Sequence, residues 1–226
     1  MAIVYSTAAD SWLSKINSNW ATARGDLGGA GGVHNNTHTS FVAAIVNSAV
    51  PSRGGGTDYV IYRSYFPFDL SGESGTATSA TLNLYGKHFS TADTDHTTVF
   101  LIEGATALNG NVYDYGNIFT GSAGSTTLGR VMGSGVISTT LGYHTLTLNS
   151  LGLSVLNAAI GSGTVTIGCI GYYDYNDTAP VADPSIIVRM QSAFADISGT
   201  SKDPYLDITY GAAAATDNAV FFGTNF

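Results

Sequence analysis

The chain has 226 residues and a net charge of −8, and only 11% of its residues are charged, against about 25% in ordinary soluble domains. Its eight basic residues are scattered, so the basic stripe that sequence-independent nucleic-acid binding requires is missing. One cysteine, Cys169, rules out an internal disulfide and any metal site built on several thiolates.

The length suits one large all-β domain, alone or with arms, and is enough to bury a core without disulfides. Gly, Ser and Thr stand in for charged residues beside 13 Tyr and 10 Phe, a mix that favours strands and tight turns. Three lysines and two glutamates are too few for long solvated helices. No apolar run is long enough to cross a bilayer as a helix. A surface so poor in charge has two readings: it is covered in the working state by copies of the chain or a partner, or it is a Ser/Thr-rich hydrophilic surface.

Residues 1–57 read as an irregular N-terminal region. The opening Met1-Ala2-Ile3-Val4-Tyr5-Ser6 lacks a basic stretch followed by an apolar one, so it is not read as a secretory signal. Within 11–20, Trp12, Ile16 and Trp20 recur at four-residue spacing, which predicts a short amphipathic helix. Residues 25–32 read as a glycine-rich linker, 39–46 as a strand and 53–56 as a turn.

From residue 58 onward, strands are expected over 58–69, 79–88, 96–103, 143–149, 164–174, 185–192 and 204–210. A brief helix is expected over 151–160, with Leu153, Leu156 and Ile160 on one side. The glycine-rich stretch 104–142 reads as a long, weakly ordered excursion of the kind that often serves function or an interface. Cys169 shares a strand face with Val165 and Ile167 and is expected in the core. Arg63 faces away from Phe66 and Phe68, on the side of Tyr59, Ile61, Tyr65 and Asp69. An Arg63–Asp69 contact is one option there, and a structural role is expected.

Three segments carry a recognisable pattern: Tyr62-Arg63-Ser64-Tyr65-Phe66-Pro67-Phe68-Asp69-Leu70-Ser71, then Ser79-Ala80-Thr81-Leu82-Asn83-Leu84-Tyr85, then Asp203-Pro204-Tyr205-Leu206-Asp207-Ile208-Thr209-Tyr210. Together, over roughly residues 58–210, they resemble the DNRLRE-type β-sandwich family, close to one class of carbohydrate-binding jelly-roll modules. The resemblance implies an all-β, antiparallel two-sheet jelly-roll sandwich, found in secreted, cell-surface and phage-borne proteins as a binding or structural module. On that frame the chain divides into an N-terminal arm (1–57), a sandwich (58–210) and a C-terminal aromatic arm (211–226).

Ligand contact is expected first at Tyr172-Tyr173-Asp174-Tyr175-Asn176-Asp177, where aromatic rings beside Asp and Asn suit a sugar's apolar face and hydroxyls. Strand alternation places Tyr173 and Tyr175 on one face and Tyr172 on the other, with Asp177 beside them; the plainer reading makes them packing aromatics. Metal readings are weaker. Asp93 and Asp95 in a polar turn can begin a calcium site, as can Asp174, Asp177 and Asp183, although Asx turns explain them more simply. His34 and His38 have the spacing of a zinc pair only on a helix, and Asn35-Asn36-Thr37 argues for a loop. No cofactor is expected. No nucleophile elbow, P-loop or usable carboxylate pair is present, so catalysis is not expected.

The segment after Tyr210 ends in Val220-Phe221-Phe222-Gly223-Thr224-Asn225-Phe226. Exposed Phe side chains forgo about 1.5–3 kcal/mol each of burial, so the segment reads either as a clip on its own domain or as an arm docking on a neighbour through Val220, Phe221, Phe222 and Phe226. A β-protein with apolar arms, little charge and no signal fits a non-enzymatic virion component: a capsid decoration, head-fibre or tail part, homo-oligomeric and partnered by other virion subunits. The alternatives are a carbohydrate-binding adhesion module for a host-surface glycan and an extracellular filament subunit.

Overall fold

The computed structural model describes residues 1–25, 33–35, 42–52, 55–89, 96–104, 108, 110–119, 127–181, 187–195 and 198–211. In chain order the strands are β1 (Ala2–Tyr5), β2 (Ser11–Asn17), β3 (Val33–Asn35), β4 (Val42–Pro51), β5 (Thr57–Asp69), β6 (Ala77–Phe89), β7 (Thr98–Glu103), β8 (Val131–Val136), β9 (Gly142–Leu148), β10 (Thr164–Gly171), β11 (Ile187–Ser192) and β12 (Tyr205–Tyr210). Among the described residues they are joined by the α-helices α1 (Trp20–Arg24), α2 (Ser150–Ala159) and α3 (Tyr172–Tyr175). The chain is all-β, as alternation implied.

The strands pair in the order β6-β11-β4-β5-β10-β7-β8-β9, and β9 pairs back to β6. The sheet therefore closes as an eight-strand antiparallel barrel. β12 and β1 extend it from β6, and β2 and β3 extend it from β5. Closure removes most of the unpaired backbone edge that an open sheet would expose.

β5 and β6 are 13 residues each, and each passes one edge from one partner to another. Residues 57–62 of β5 pair with β4 and residues 64–69 with β10, while β2 lies on the opposite edge over 59–65. In β6, residues 77–83 pair with β12 and 86–89 with β11, and β9 occupies the other edge. At Arg63 the wall changes partner, which opens room for a large side chain.

Alternation delivers two cores. Inside the barrel lie Phe66, Phe68, Leu82, Leu101, Ile167 and Phe194, with the expected Cys169 beside them. α2 closes one end, burying Leu156, and starts on Asn149, whose side chain accepts from the Gly152 amide. A second cluster, on the other face of β5 and β10, gathers Leu13, Ile61, Tyr65, Tyr115, Ile118 and Ile170.

Three expectations need correction. Across its described part the region 1–57 is not irregular, since β1, β2 and β4 are strands of the same sheet. The predicted helix over 11–20 is β2, which runs antiparallel to β5 from Ser11 opposite Tyr65 to Asn17 opposite Tyr59. A four-residue spacing is also a multiple of two, so it marks a strand face as well as a helix face. Helix begins only at Trp20, where Asn19 caps the Thr22 amide.

The stretch 104–142 is no weakly ordered excursion across its described part. It holds a 3-10 turn at Val112–Gly116 and strand β8, and it buries Tyr115, Ile118, Met132 and Ile137 completely. Residues 212–226, with Val220, Phe221, Phe222 and Phe226, lie outside the described residues, as do Asp93, Asp95, Asp183 and His38. His34 sits on the extended strand β3, so the helical geometry that a zinc pair at that spacing needs is not there.

Candidate functional site

The site expected at 172–177 is built around a buried charge. Arg63 is fully buried at the point where β5 changes partner. Its fork meets Asp174, with Nε donating to Oδ2 at 2.7 Å and Nη2 to Oδ1 at 2.9 Å. The remaining donors reach the backbone oxygens of Tyr115 at 3.0 Å and Arg24 at 2.6 Å. The guanidinium lies 4.1 Å from the Tyr115 ring centre and 4.9 Å from that of Phe119. Burial alone would lower its pKa, but the Asp174 carboxylate, the Tyr115 ring and the hydrogen bonds hold it above the ordinary arginine value. The expected Arg63–Asp69 contact is not made; the Asp69 carboxylate instead accepts from the Ser71 amide.

Asp174 reaches Arg63 because the chain stops being a strand. β10 ends at Gly171, and residues 172–175 turn once as α3. A Cβ at Gly171 would stand 2.5 Å from Asn47 Oδ1, so a larger residue there would have to displace the Asn47 side chain that holds the turn. Asn47, itself buried, then accepts from the Asp174 amide at 3.1 Å. Expected strand alternation over 172–175 is thereby replaced by helical spacing. Tyr172 and Tyr175 now share a face, as residues three apart on a turn do, and Tyr173 turns inward to 8% exposure.

The rings around this turn are packed on partners. Tyr173 Oη lies 3.3 Å from His96 Nδ1, and the His96 ring centre is 4.2 Å from that of Tyr172. Tyr175 stacks on Phe100 at 3.7 Å and 10°. Asp177 accepts from Trp20 Nε1 at 3.0 Å and pairs with Arg24 at 3.5 Å. The four expected residues are therefore brought together, with Tyr173 buried against His96, while the neighbouring Asp174 carboxylate pairs with Arg63 and lies 3.5 Å from Arg24 Nε. The face that remains is the half-buried Tyr172 and Tyr175 beside the exposed Asp177. Sequence reading missed His96, Trp20 and Arg24; the closest signal was the run of Trp12, Ile16 and Trp20, which marked an apolar face without its partner.

No family model and no curated protein matches the chain. Among the described residues, no group of three His, Cys, Asp or Glu side chains is placed to hold a metal. No helix among them is long and apolar enough to cross a membrane.

A second surface feature lies on the barrel's extension. β1 pairs with β12 on one edge and ends the strand order on the other, among the described residues. Its outward side chains Ile3 and Tyr5 are 53% and 41% exposed. Tyr5 begins a cross-strand row that continues through Tyr205 at 5.9 Å, Tyr143 at 5.1 Å and Tyr85 at 5.2 Å between ring centres. Tyr143 Oη donates to the Asp203 carbonyl oxygen; partial burial, neighbouring tyrosines and Asp203 push its pKa up to about 12. The Tyr143 phenol therefore stays neutral across the physiological range, and the row forms a half-apolar aromatic band.

Proposed function

We propose that this protein is a non-enzymatic structural component of a phage or related particle: a capsid decoration, head-fibre or tail subunit that assembles with its own copies and with other virion subunits. It is assembled in the host cytoplasm and released with the particle. The observation that carries the reading is the β1 edge. Edge strands in soluble proteins are blunted by charge, proline or bulges, yet residues 2–9 contain neither a charged residue nor a proline, and β1 presents Ile3 and Tyr5 outward. An edge of this kind is a template for another strand. The low charge of the whole chain removes the repulsion that would oppose such packing. Val220, Phe221, Phe222 and Phe226 form the proposed second contact, an arm on a neighbouring subunit.

The finer architecture proposed is a flattened two-sheet jelly roll. Its support is the change of partner along β5 and β6, since a strand that serves two neighbours in succession is how sheets turn a corner.

A second reading, carbohydrate-binding adhesion to a host-surface glycan, is favoured by one observation: Tyr172 and Tyr175 share a face beside exposed Asp177. Contacts that do not close into a ring would make the same subunit a filament protein.

Light scattering on the purified chain tests the first reading, with Ile3→Lys as the variant. The expected result is a discrete oligomer or polymer whose mass falls in the variant at an unchanged melting temperature. A wild-type chain that stays monomeric at every concentration and matches the variant sinks the reading.

A further inference from the structure

The tyrosine row does not end at Tyr85. Alternate residues of a strand share a face, so β6 continues the row outward through Lys87 and Phe89. β11 sets Gln191 opposite Lys87 and Arg189 opposite Phe89. Lys87 Nζ lies 5.8 Å and the Arg189 guanidinium 4.3 Å from the Phe89 ring centre, and Lys202 Nζ lies 5.7 Å from that of Tyr85. Along this face Ile3, Tyr5, Tyr143 and Phe89 each stand more than a third exposed.

Composition and charge together say what covers it. Tyr, Phe and Arg are the side chains enriched where proteins meet. Lys87 and Arg189 form no ion pair with a carboxylate among the described residues, in a chain of 16 acids and eight bases. Of the acids nearest the row, Asp203 is buried and Asp207 half-buried. Three of the eight bases lie on this face, so the rest of the chain is more acidic still. Asp69 and Asp177, for example, stand exposed elsewhere. At physiological salt, charges are screened beyond about 8 Å, so the facing patches decide the contact rather than the net charge. A second copy therefore supplies the complement, through a different face. Turned against itself across a two-fold axis, the face would set Lys87 and Arg189 against cations of the partner, an opposition that specific interfaces avoid.

We infer that this face docks head to tail on a second copy of the chain. The rings and Ile3 cover apolar surface of the neighbour, and Lys87 and Arg189 meet carboxylates on an unlike face of it. The inference rests on the assembly reading above and adds to it the surface used and its symmetry. A contact between unlike faces leaves one of each open, so it grows into a ring or a filament instead of stopping at a dimer.

The test is light scattering on the full chain, paired with carbodiimide cross-linking of an equal mixture of isotope-labelled and unlabelled chains. The reagent joins an ammonium to a carboxylate that it touches, and mixed isotope content shows which links run between copies. Lys87 should link to acids of a second copy that lie off the row, and association should weaken as salt rises. Lys87→Glu with Arg189→Glu should weaken association by at least about tenfold. Leu141→Glu, at an exposed position just before Gly142, where β9 pairs with β6, should weaken it more than Leu141→Lys does. A purely apolar contact would not tell these two apart, and they serve if the double variant fails to fold. Association that is unchanged in all these variants overturns this interface and leaves assembly through β1 standing. Links from Lys87 to Asp207 of a second copy mark a two-fold contact and overturn the head-to-tail arrangement. A chain that is monomeric at every concentration removes this inference together with the reading beneath it.

Discussion

Two arginine–carboxylate forks in this protein have nearly the same bond lengths and opposite surroundings. Arg63 and Asp174 meet at 2.7 and 2.9 Å with both side chains wholly buried, and Arg130 and Glu103 meet at 2.6 and 2.7 Å in contact with water. The buried fork spends its remaining donors on two backbone carbonyls and two aromatic faces. It thereby ties β5 to α1, α3 and the turn at Val112–Gly116. The exposed fork holds only its own two side chains and leaves donors over. Geometry alone does not separate a structural pair from an available one; desolvation does, because taking charges out of water makes every unmet bond expensive.

Asp174→Ala should give the largest response to that contrast. It leaves the guanidinium buried without its carboxylate and should lower stability by about 3–5 kcal/mol, read as the free energy from urea unfolding. Adding Arg63→Met to it should restore part of the loss, since one stranded charge goes with the arginine while the buried Arg24 keeps Asp177.

Raising the pH should act on the same region to an intermediate degree. Burial foremost holds the Tyr65 and Tyr115 hydroxyls above the ordinary value of 10.0, and burial with the Glu73 carboxylate pushes Tyr210 up to about 12. Raised folded pKa values favour the protonated phenol in the native state. That stability is fully present below pH 10 and is lost as pH rises through the folded values. The urea midpoint should therefore hold level to about pH 10 and fall beyond it, with part of the fall between pH 10 and 12 removed by Tyr210→Phe. A midpoint that is flat to pH 12 would contradict the burial of these hydroxyls.

Glu103→Gln should have the smallest effect. Exposed pairs contribute little to stability, so the unfolding midpoint should not move measurably at any salt concentration. A clear drop would mean that the exposed fork is structural after all.

The strands of the barrel were legible because burial on one face writes a period of two into the sequence, which β9 and β12 carry most clearly, whereas β5 and β10 are buried on both faces and are marked by their run of apolar and aromatic residues. The partner of Arg63 was not. Six residues along an extended strand span about 20 Å, so Asp69 on the same face is out of reach, and the true partner comes from 111 residues away. Nothing local in Tyr172-Tyr173-Asp174-Tyr175 announces that the strand stops at Gly171; the reason is the approach to Asn47. Glycines misled in a second way. Those in 104–142 suggested looseness, yet Cβ atoms at Gly133 and Gly135 would collide with the backbone of β9, so these two mark tight packing.

The pairing of β1 with β12 carries a consequence for synthesis. Ile3 lies opposite Asp207, so β1 waits for a partner strand made about 200 residues later. At roughly 5–20 residues per second that wait is on the order of 10–40 s, during which an uncharged, aromatic-bearing segment lacks its strand partner. Contacts this distant in sequence also slow folding once the chain is complete. Yield in a host cell should accordingly depend on temperature and on holdase chaperones more than the stability of the finished barrel would suggest.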